Sequence, residues 1–571
     1  MIINLPKQFP IDALEKFEFG DVEAQLDPLL FSCPVPTTAI DDFLSDKKDI
    51  VLGYRGAGKS AIVRLLNEEK LSFKHEEEWQ PIILCLDEEF SFQLISDALN
   101  RRAEDPKNQK LICRVIWEIL LIYRALQEIK RSLGHQDQTL NTYLAELESA
   151  LGVPGKKPGL VEILLTSKKK IGIKIDTNLP NVIDMYAGLE PNPQPDEDNK
   201  PITLKLIEYK RHLNRLLHEE KRTLYVLFDR LDDFVAREDY DTQRHLLHGL
   251  LATQTDYRQK YPRIKIKAFI RSDLFIKLDL SEFGPDKILA RTVSLKWSPG
   301  DIKKFIAKRI AYNLIQYLEL DALIFEFDSD QCRVSRDQLA MLKETKKSMV
   351  ATSKWNWKFW HGKYTLRRLF RRSSDAEGRL RNFSEVINEA IITSILPTEV
   401  IHLLSNGNEA PIGIFEYFDS HFQFGHGETT PRAMLGFLNH FLTSVRKYYA
   451  ENPDIEYVAK NQNGEYPLFV KRAVQEAYDA HRREAWEVQL NWAHPWKPLI
   501  ATAKRMSKKT RFSYRNFVSL AKVSEEEARQ FLAFCTHTGL VRCINDRERT
   551  ENREYEFPIL FQTVESNSRR P

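Results

Sequence analysis

Gly53-Tyr54-Arg55-Gly56-Ala57-Gly58-Lys59-Ser60 sets glycines, a lysine and a hydroxyl at the spacing G-x-x-x-x-G-K-S. Residues of these types in this order can hold phosphate. Glycines let successive backbone N–H groups turn inward, and a helix that follows adds its positive N-terminal end. Lys59 is expected to reach the β- and γ-phosphates of a nucleoside triphosphate. Ser60 is expected to give its hydroxyl to Mg²⁺, with Ala61 beside it in the first helical turn. A magnesium-bound phosphate also needs a carboxylate. Asp229 ends the apolar run Thr223-Leu224-Tyr225-Val226-Leu227-Phe228, where a strand would deliver a metal ligand.

Hydrolysis further needs a group that orients or deprotonates water. Many ATPases place a glutamate directly after that aspartate, but here the position is Arg230. Asp232 and Asp233 are the nearest carboxylates and are the candidates, with a solvated acidic turn as the competing role. Arg271-Ser272-Asp273 follows a later strand and would sense the γ-phosphate, or else cap a helix. Arg291 stands where one subunit could present an arginine to its neighbour's nucleotide. Pro431 opens a helix, so Arg432 falls in its first turn, where the helix dipole disfavours a cation unless an anion is near.

The elements that must position these residues are legible in order. Ile50-Val51-Leu52 reads as a strand before the loop, and Ile62, Val63, Leu65 and Leu66 after it mark one buried helical face. Strand, glycine loop and helix in sequence supply the context the motif requires. Further strands are expected at Pro81–Asp87, Thr223–Asp229, Ile264–Ile270 and Thr292–Trp297. The expected fold class is α/β: a doubly wound parallel sheet of about five strands in a P-loop NTPase, then a helical lid and a C-terminal winged helix. The expected domains are an N-terminal segment 1–48, a core 49–300 with a helical insertion 92–220, a lid 301–450, and a C-terminal domain 451–571. Residues 202–220 read as a helix, and 190–198 as a proline-rich, acidic linker.

Together the motifs resemble the AAA+/STAND class of additional-strand P-loop ATPases, in particular a bacterial branch whose Walker B reads Asp-Arg-Leu-Asp and whose architecture is similar to origin-recognition ATPases. Gly53–Ser60 matches Walker A, Asp229–Asp233 Walker B, Arg271–Asp273 sensor 1, and Thr430–Arg432 the start of a sensor 2 helix. The resemblance implies ATP and Mg²⁺ as cofactors, ATPase activity, and a nucleotide switch coupled to a homo-oligomer or an effector protein. It also implies a setting in bacterial antiphage defence or mobile elements. Arg230 in the glutamate position implies slow turnover. The alternative is a nucleic-acid-binding scaffold or regulator that holds ATP with little turnover.

Residues 343–381 carry twelve Lys and Arg against three Asp and Glu, a net +9 in a chain whose total is +3. Trp355, Trp357, Phe359, Trp360 and Tyr364 are interleaved, so phosphate-binding charge lies beside stacking faces. Lys354, Lys358, Arg367, Arg368 and Arg371 are the candidate nucleic-acid residues, DNA or RNA. A satellite core under a solvated basic face is the competing reading. At the C-terminus, Ser524-Glu525-Glu526-Glu527 is a capping box and Gly539 a helix stop, as a winged helix would need. Three glutamates on that helix argue against duplex reading by it.

With 84 Lys and Arg against 81 Asp and Glu, the chain has no global attraction for nucleic acid, so any basic site must be local. Six scattered cysteines without a C-x-x-C pair favour reduced thiols over disulfides or zinc. Met1–Lys7 lacks a signal-peptide pattern, which points to the cytoplasm. Leu111–Leu126 is strongly apolar but contains Arg114, Glu118 and Arg124, as a buried or partner-facing helix would and a membrane span would not.

Overall fold

In the computed structural model the described residues are 2–3, 8–35, 37–74, 78–86, 106–133, 137–151, 171–175, 182–187, 202–229, 240–276, 278, 280–281, 284–318, 322–327, 330–335, 387–403, 409–455, 457–459, 471–492 and 496–562. They divide into two compact units. One comprises Thr38–Gly53 and Lys59–Leu295; the other comprises Met1–Thr37, Tyr54–Gly58 and Lys296–Pro571.

The first unit is built on a parallel sheet. Its strands are β1 (Ile50–Gly53), β2 (Gln80–Leu86), β3 (Arg222–Phe228), β4 (Ile264–Arg271) and β5 (Thr292–Ser294), in the spatial order β5-β1-β4-β3-β2. All four pairings are parallel. Strands covered on both faces should be apolar throughout rather than alternating. Leu224, Val226, Leu227 and Phe228 of β3 accordingly have no exposed surface, and Ile50 and Val51 of β1 almost none. Crossover helices separate the strands: α1 (Lys59–Asn67), α2 (Pro106–Leu133), α3 (Leu206–Glu219) and α4 (Tyr240–Lys260).

The apolar stretch inside α2 is a core helix. Trp117 is buried and its indole N–H donates to the Leu246 carbonyl of α4 at 2.8 Å. The charge within it is answered locally: Glu118 accepts from the fully buried Lys210 of α3 at 2.9 Å. Among the described residues, no helix is long and apolar enough to cross a membrane. Residues 202–205, read from sequence as the start of a helix, instead pair with Val182–Ala187, which also pairs with Ile171–Ile175. Helix α3 begins only at Leu206. Ile202-Thr203-Leu204 is β-branched enough to be taken by a neighbouring strand, a tertiary choice that periodicity does not reveal.

The second unit has its own core around α5 (Pro299–Tyr317), α6 (Pro431–Ala450) and α7 (Lys471–Trp492). Its N-terminal segment is tied down by side chains from two of these helices. Arg309 of α5 pairs with the buried Asp27 at 2.5 Å, and Arg446 of α6 donates to the carbonyls of Leu14, Glu15 and Phe17. Gln8–Pro10 pairs antiparallel with Tyr457–Ala459. The C-terminal part holds α8 (Lys497–Met506), β6 (Arg511–Ser513), α9 (Tyr514–Ala521), α10 (Glu525–Thr538), β7 (Arg542–Cys543) and β8 (Glu554–Glu556). The three strands form one antiparallel sheet in the order β6-β8-β7. Ser524 caps α10 by accepting from the Glu527 N–H, and Gly539 closes it. Among the described residues, Cys33, Cys85, Cys113, Cys535 and Cys543 form no disulfide.

Candidate functional site: the phosphate loop and its surroundings

The loop Gly53–Ser60 leaves β1 and enters α1. Gly56 and Gly58 adopt φ of +79° and +98°, which L side chains rarely take. A Cβ on Gly56 would also lie 2.6 Å from Cβ of Arg432, so space and backbone both demand glycine there. Helix α1 starts at Lys59, which leaves the first N–H groups, those of Lys59, Ser60 and Ala61 among them, without intrahelical acceptors. Lys59 is buried, and its ammonium donates to the Gly53 carbonyl at 2.9 Å.

Within the sheet unit, the other candidates sit at two different ends. Asp229 directly follows β3, is 3% exposed, and lies at the carboxyl end of the strands with Gly53. Arg271 ends β4 opposite Gly53 in register. Its guanidinium grips Asp273 through two bonds, 2.9 and 2.6 Å long, and is buried. Arg271 is itself the N-cap of the short helix Ser272–Phe275, which has no side-chain cap bond, so neither Ser272 nor Asp273 caps it. Arg291 lies at the amino end of β5, away from Gly53, and donates to Asp49 at 2.8 Å. Asp49 also accepts from the fully buried Lys267 at 2.8 Å, as does Asp46 at 2.6 Å. Burial would raise the Asp46 carboxyl, but Lys267 and Lys265 together hold it below the usual range.

Within the other unit, the apex Tyr54–Gly58 is held from three sides. The Trp297 indole N–H donates to the Ala57 carbonyl at 2.7 Å. The Arg432 backbone N–H donates to the Gly56 carbonyl at 3.4 Å, and its guanidinium Nε to the Val22 carbonyl at 3.3 Å. The Tyr54 ring stacks on His426 with centroids 3.6 Å apart and planes 4° from parallel. Thr430 caps α6 by accepting from the Ala433 N–H at 3.3 Å, and Pro431 fills the first helical position. Burial raises the nearby Glu428 carboxyl, partly offset by Lys296 at 3.4 Å.

The residue types suit a magnesium-bound nucleoside triphosphate. Side-chain-free glycines expose backbone donors, Lys59 brings an ammonium, and Ser60 and Asp229 supply the oxygen ligands Mg²⁺ prefers. Asp232, Asp233, Lys354, Lys358, Arg367, Arg368 and Arg371 lie outside the described residues. Sequence reasoning missed Trp297 and His426, and named Asp273 without its pairing to Arg271. Trp297 carries one usable signal, an N–H that must find an acceptor when half-buried.

No protein-family profile matches the chain. An 80.3 kDa protein assigned to transposon gamma-delta of Escherichia coli (strain K12) is 24% identical over 322 residues, 54% of this chain. The match spans only 41% of that relative's length. Among solved structures, the Aeropyrum pernix ORC2 protein in its ADPNP–ADP complexes aligns over 93% of this chain and 94% of its own, with 10% identity and a TM-score of 0.30. A score of 0.30 is too low to establish a shared architecture.

Proposed function

We propose that the chain is an AAA+/STAND-like ATPase that binds Mg·ATP and uses its nucleotide state as a switch for assembly or partner binding. One observation carries this reading. The positive-φ glycine loop runs directly from a parallel strand into a helix, in a sheet where β4 stands between the loop strand and the strand ending at Asp229. An extra strand at that place is what the additional-strand class is named for.

In this reading the backbone donors of the loop and Lys59 hold the phosphate oxygens, and Ser60 and Asp229 hold Mg²⁺. Bound Mg²⁺ would neutralise charge on the β- and γ-phosphates. Asp232 or Asp233 orients water, Arg271 or Ser272 senses the γ-phosphate, and Arg291 acts on a neighbouring subunit. Helices α8–α10 with the β6-β8-β7 sheet form a winged helix. Residues 343–381 are a nucleic-acid surface. The likeness to a transposon protein supports a mobile-element setting, and antiphage defence is the related role expected from the family resemblance.

A steady-state phosphate-release assay tests the reading. Wild type should release phosphate from ATP in a Mg²⁺-dependent manner, and Lys59→Ala should not. ATP binding without release, under every condition of nucleic acid and protein concentration, would instead favour a scaffold that holds ATP. Arg230 in place of a glutamate is the feature that keeps that second reading in play.

A further inference from the structure

His426 stacks on Tyr54 of the phosphate loop and also lies against Gly539, towards the C-terminal end of the same unit. Gly425 donates its N–H to the Gly539 carbonyl at 2.6 Å. Gly539 terminates α10 with φ +78°, and a Cβ there would lie 2.6 Å from Cδ2 of His426 and 2.9 Å from Cβ of Phe424. A Cβ on Gly425 would lie 2.3 Å from the Val541 carbonyl oxygen. The Phe424 ring stacks beside His426 at 5.6 Å and contacts Phe561 at 5.9 Å. The imidazole is therefore wedged between an aromatic ring of the loop and a helix-ending glycine, with no room for even a methyl group behind it. A few residues on, the same segment reaches Arg432, whose N–H meets the Gly56 carbonyl.

We propose that His426 is a positioning residue that couples nucleotide occupancy of the phosphate loop to the α10–β7 turn of the C-terminal module. The proposal rests on the nucleotide-binding reading and adds to it the route by which that state is passed on. Tyr54 and His426 are half-buried, and close-packed contacts on their buried side transmit displacement rather than absorb it. A change in loop conformation that moves the Tyr54 ring would slide or tilt the His426 ring stacked on it, and displacement towards α10 meets Gly539. Coupling between sites is reciprocal. The factor by which the turn biases ATP affinity is also the factor by which ATP biases the turn.

The test uses the full chain and ATP. Calorimetry would compare wild type with Gly539→Ala, His426→Ala and His426→Phe, each first checked by its unfolding midpoint. Gly539→Ala and His426→Ala should weaken ATP binding by about fivefold or more, the lower end of typical couplings. His426→Phe, which keeps a flat ring on Tyr54, should recover most of the loss. Amide exchange across residues 530–543 should slow with ATP in wild type and not in His426→Ala. Wild-type affinity in both Gly539→Ala and His426→Ala, or exchange at 530–543 indifferent to ATP, would overturn the coupling alone. A wild type that binds no ATP would sink the phosphate-loop reading and the coupling with it.

Discussion

The guanidinium of Arg291 is held by the Asp49 carboxylate of its own unit at 2.8 Å, and that carboxylate is shared with the buried Lys267. An arginine that serves a neighbouring subunit must first let go of Asp49. Arg291→Ala should therefore cost stability as well as any turnover in trans. Asp49 keeps Lys267, so the loss should be about 1–2 kcal/mol, less than the ~3–5 kcal/mol of orphaning a buried charge. Urea unfolding measures it. An unchanged midpoint would show that the ion pair contributes nothing.

Lys267 is the sharper test of the same cluster, because it is fully buried and shared by Asp46 and Asp49, which without it would be left to the partly exposed Lys265 and Arg291. Lys267→Met should destabilise the sheet unit more than Arg291→Ala does, by about 3 kcal/mol, the lower end for breaking a buried pair. The Asp46 carboxyl is held low in the folded state, so its contribution is complete above its ordinary value near 3.8 and is lost as pH falls through the depressed folded value. Acid titrations of unfolding should show that loss in wild type and a smaller one in Lys267→Met.

Gly56→Ala meets both a left-handed backbone and Cβ of Arg432. It should reduce ATP affinity at least about tenfold, equivalent to ~1.4 kcal/mol, while leaving helical content unchanged by circular dichroism. Affinity equal to wild type would remove the loop apex from the binding site.

His481 of α7 is buried against Gly436 of α6 and the Phe422 ring, and both its ring nitrogens lack hydrogen-bond partners among the described residues. Burial lowers its pKa from 6.5 to about 4, with Glu484 opposing and His440 assisting. Because the folded state holds the neutral ring, its contribution is full above pH 6.5 and is lost as pH falls towards about 4. Stability should drop by about 3 kcal/mol across that window. His481→Leu should flatten the profile there; an unchanged slope would assign it to other groups.

The basic stretch 343–381 makes a prediction independent of any contact. Replacing Lys354, Lys358, Arg367 and Arg368 with glutamine should lower the slope of log affinity for duplex DNA against log salt by about 3 to 4. A mobility-shift series across salt concentrations reads that slope. The same slope in the variant would place binding elsewhere.

The loop, its strand and its helix were legible because every determinant is local: glycines, a lysine and apolar spacing within some twenty residues. The strand before Asp229 was legible for the same reason, since Leu224–Phe228 is continuously apolar. Pro431 announced its helix. The contacts that hold the loop apex were not legible. Tyr54 and His426 meet across some 370 positions, and nothing in the neighbourhood of either residue signals the other. Trp297 reaches Ala57, and Arg291 reaches Asp49, across about 240 positions. The start of α3 was misjudged because a strand pairing at Ile202–Lys205 outweighed helical periodicity.

Gln8 pairs with Ala459, and Leu14, Phe17 and Phe19 find their buried surroundings among helices that begin only at Pro299. Between them lies the whole of the sheet unit, roughly 250 residues. At ~5–20 residues per second, synthesis of that interval takes on the order of 15–50 s. Throughout it the N-terminal aromatics are emerged but without their core. The sheet unit, contiguous apart from one five-residue excursion, can be complete first, and a chaperone that shields Phe17 and Phe19 should raise the yield of the whole.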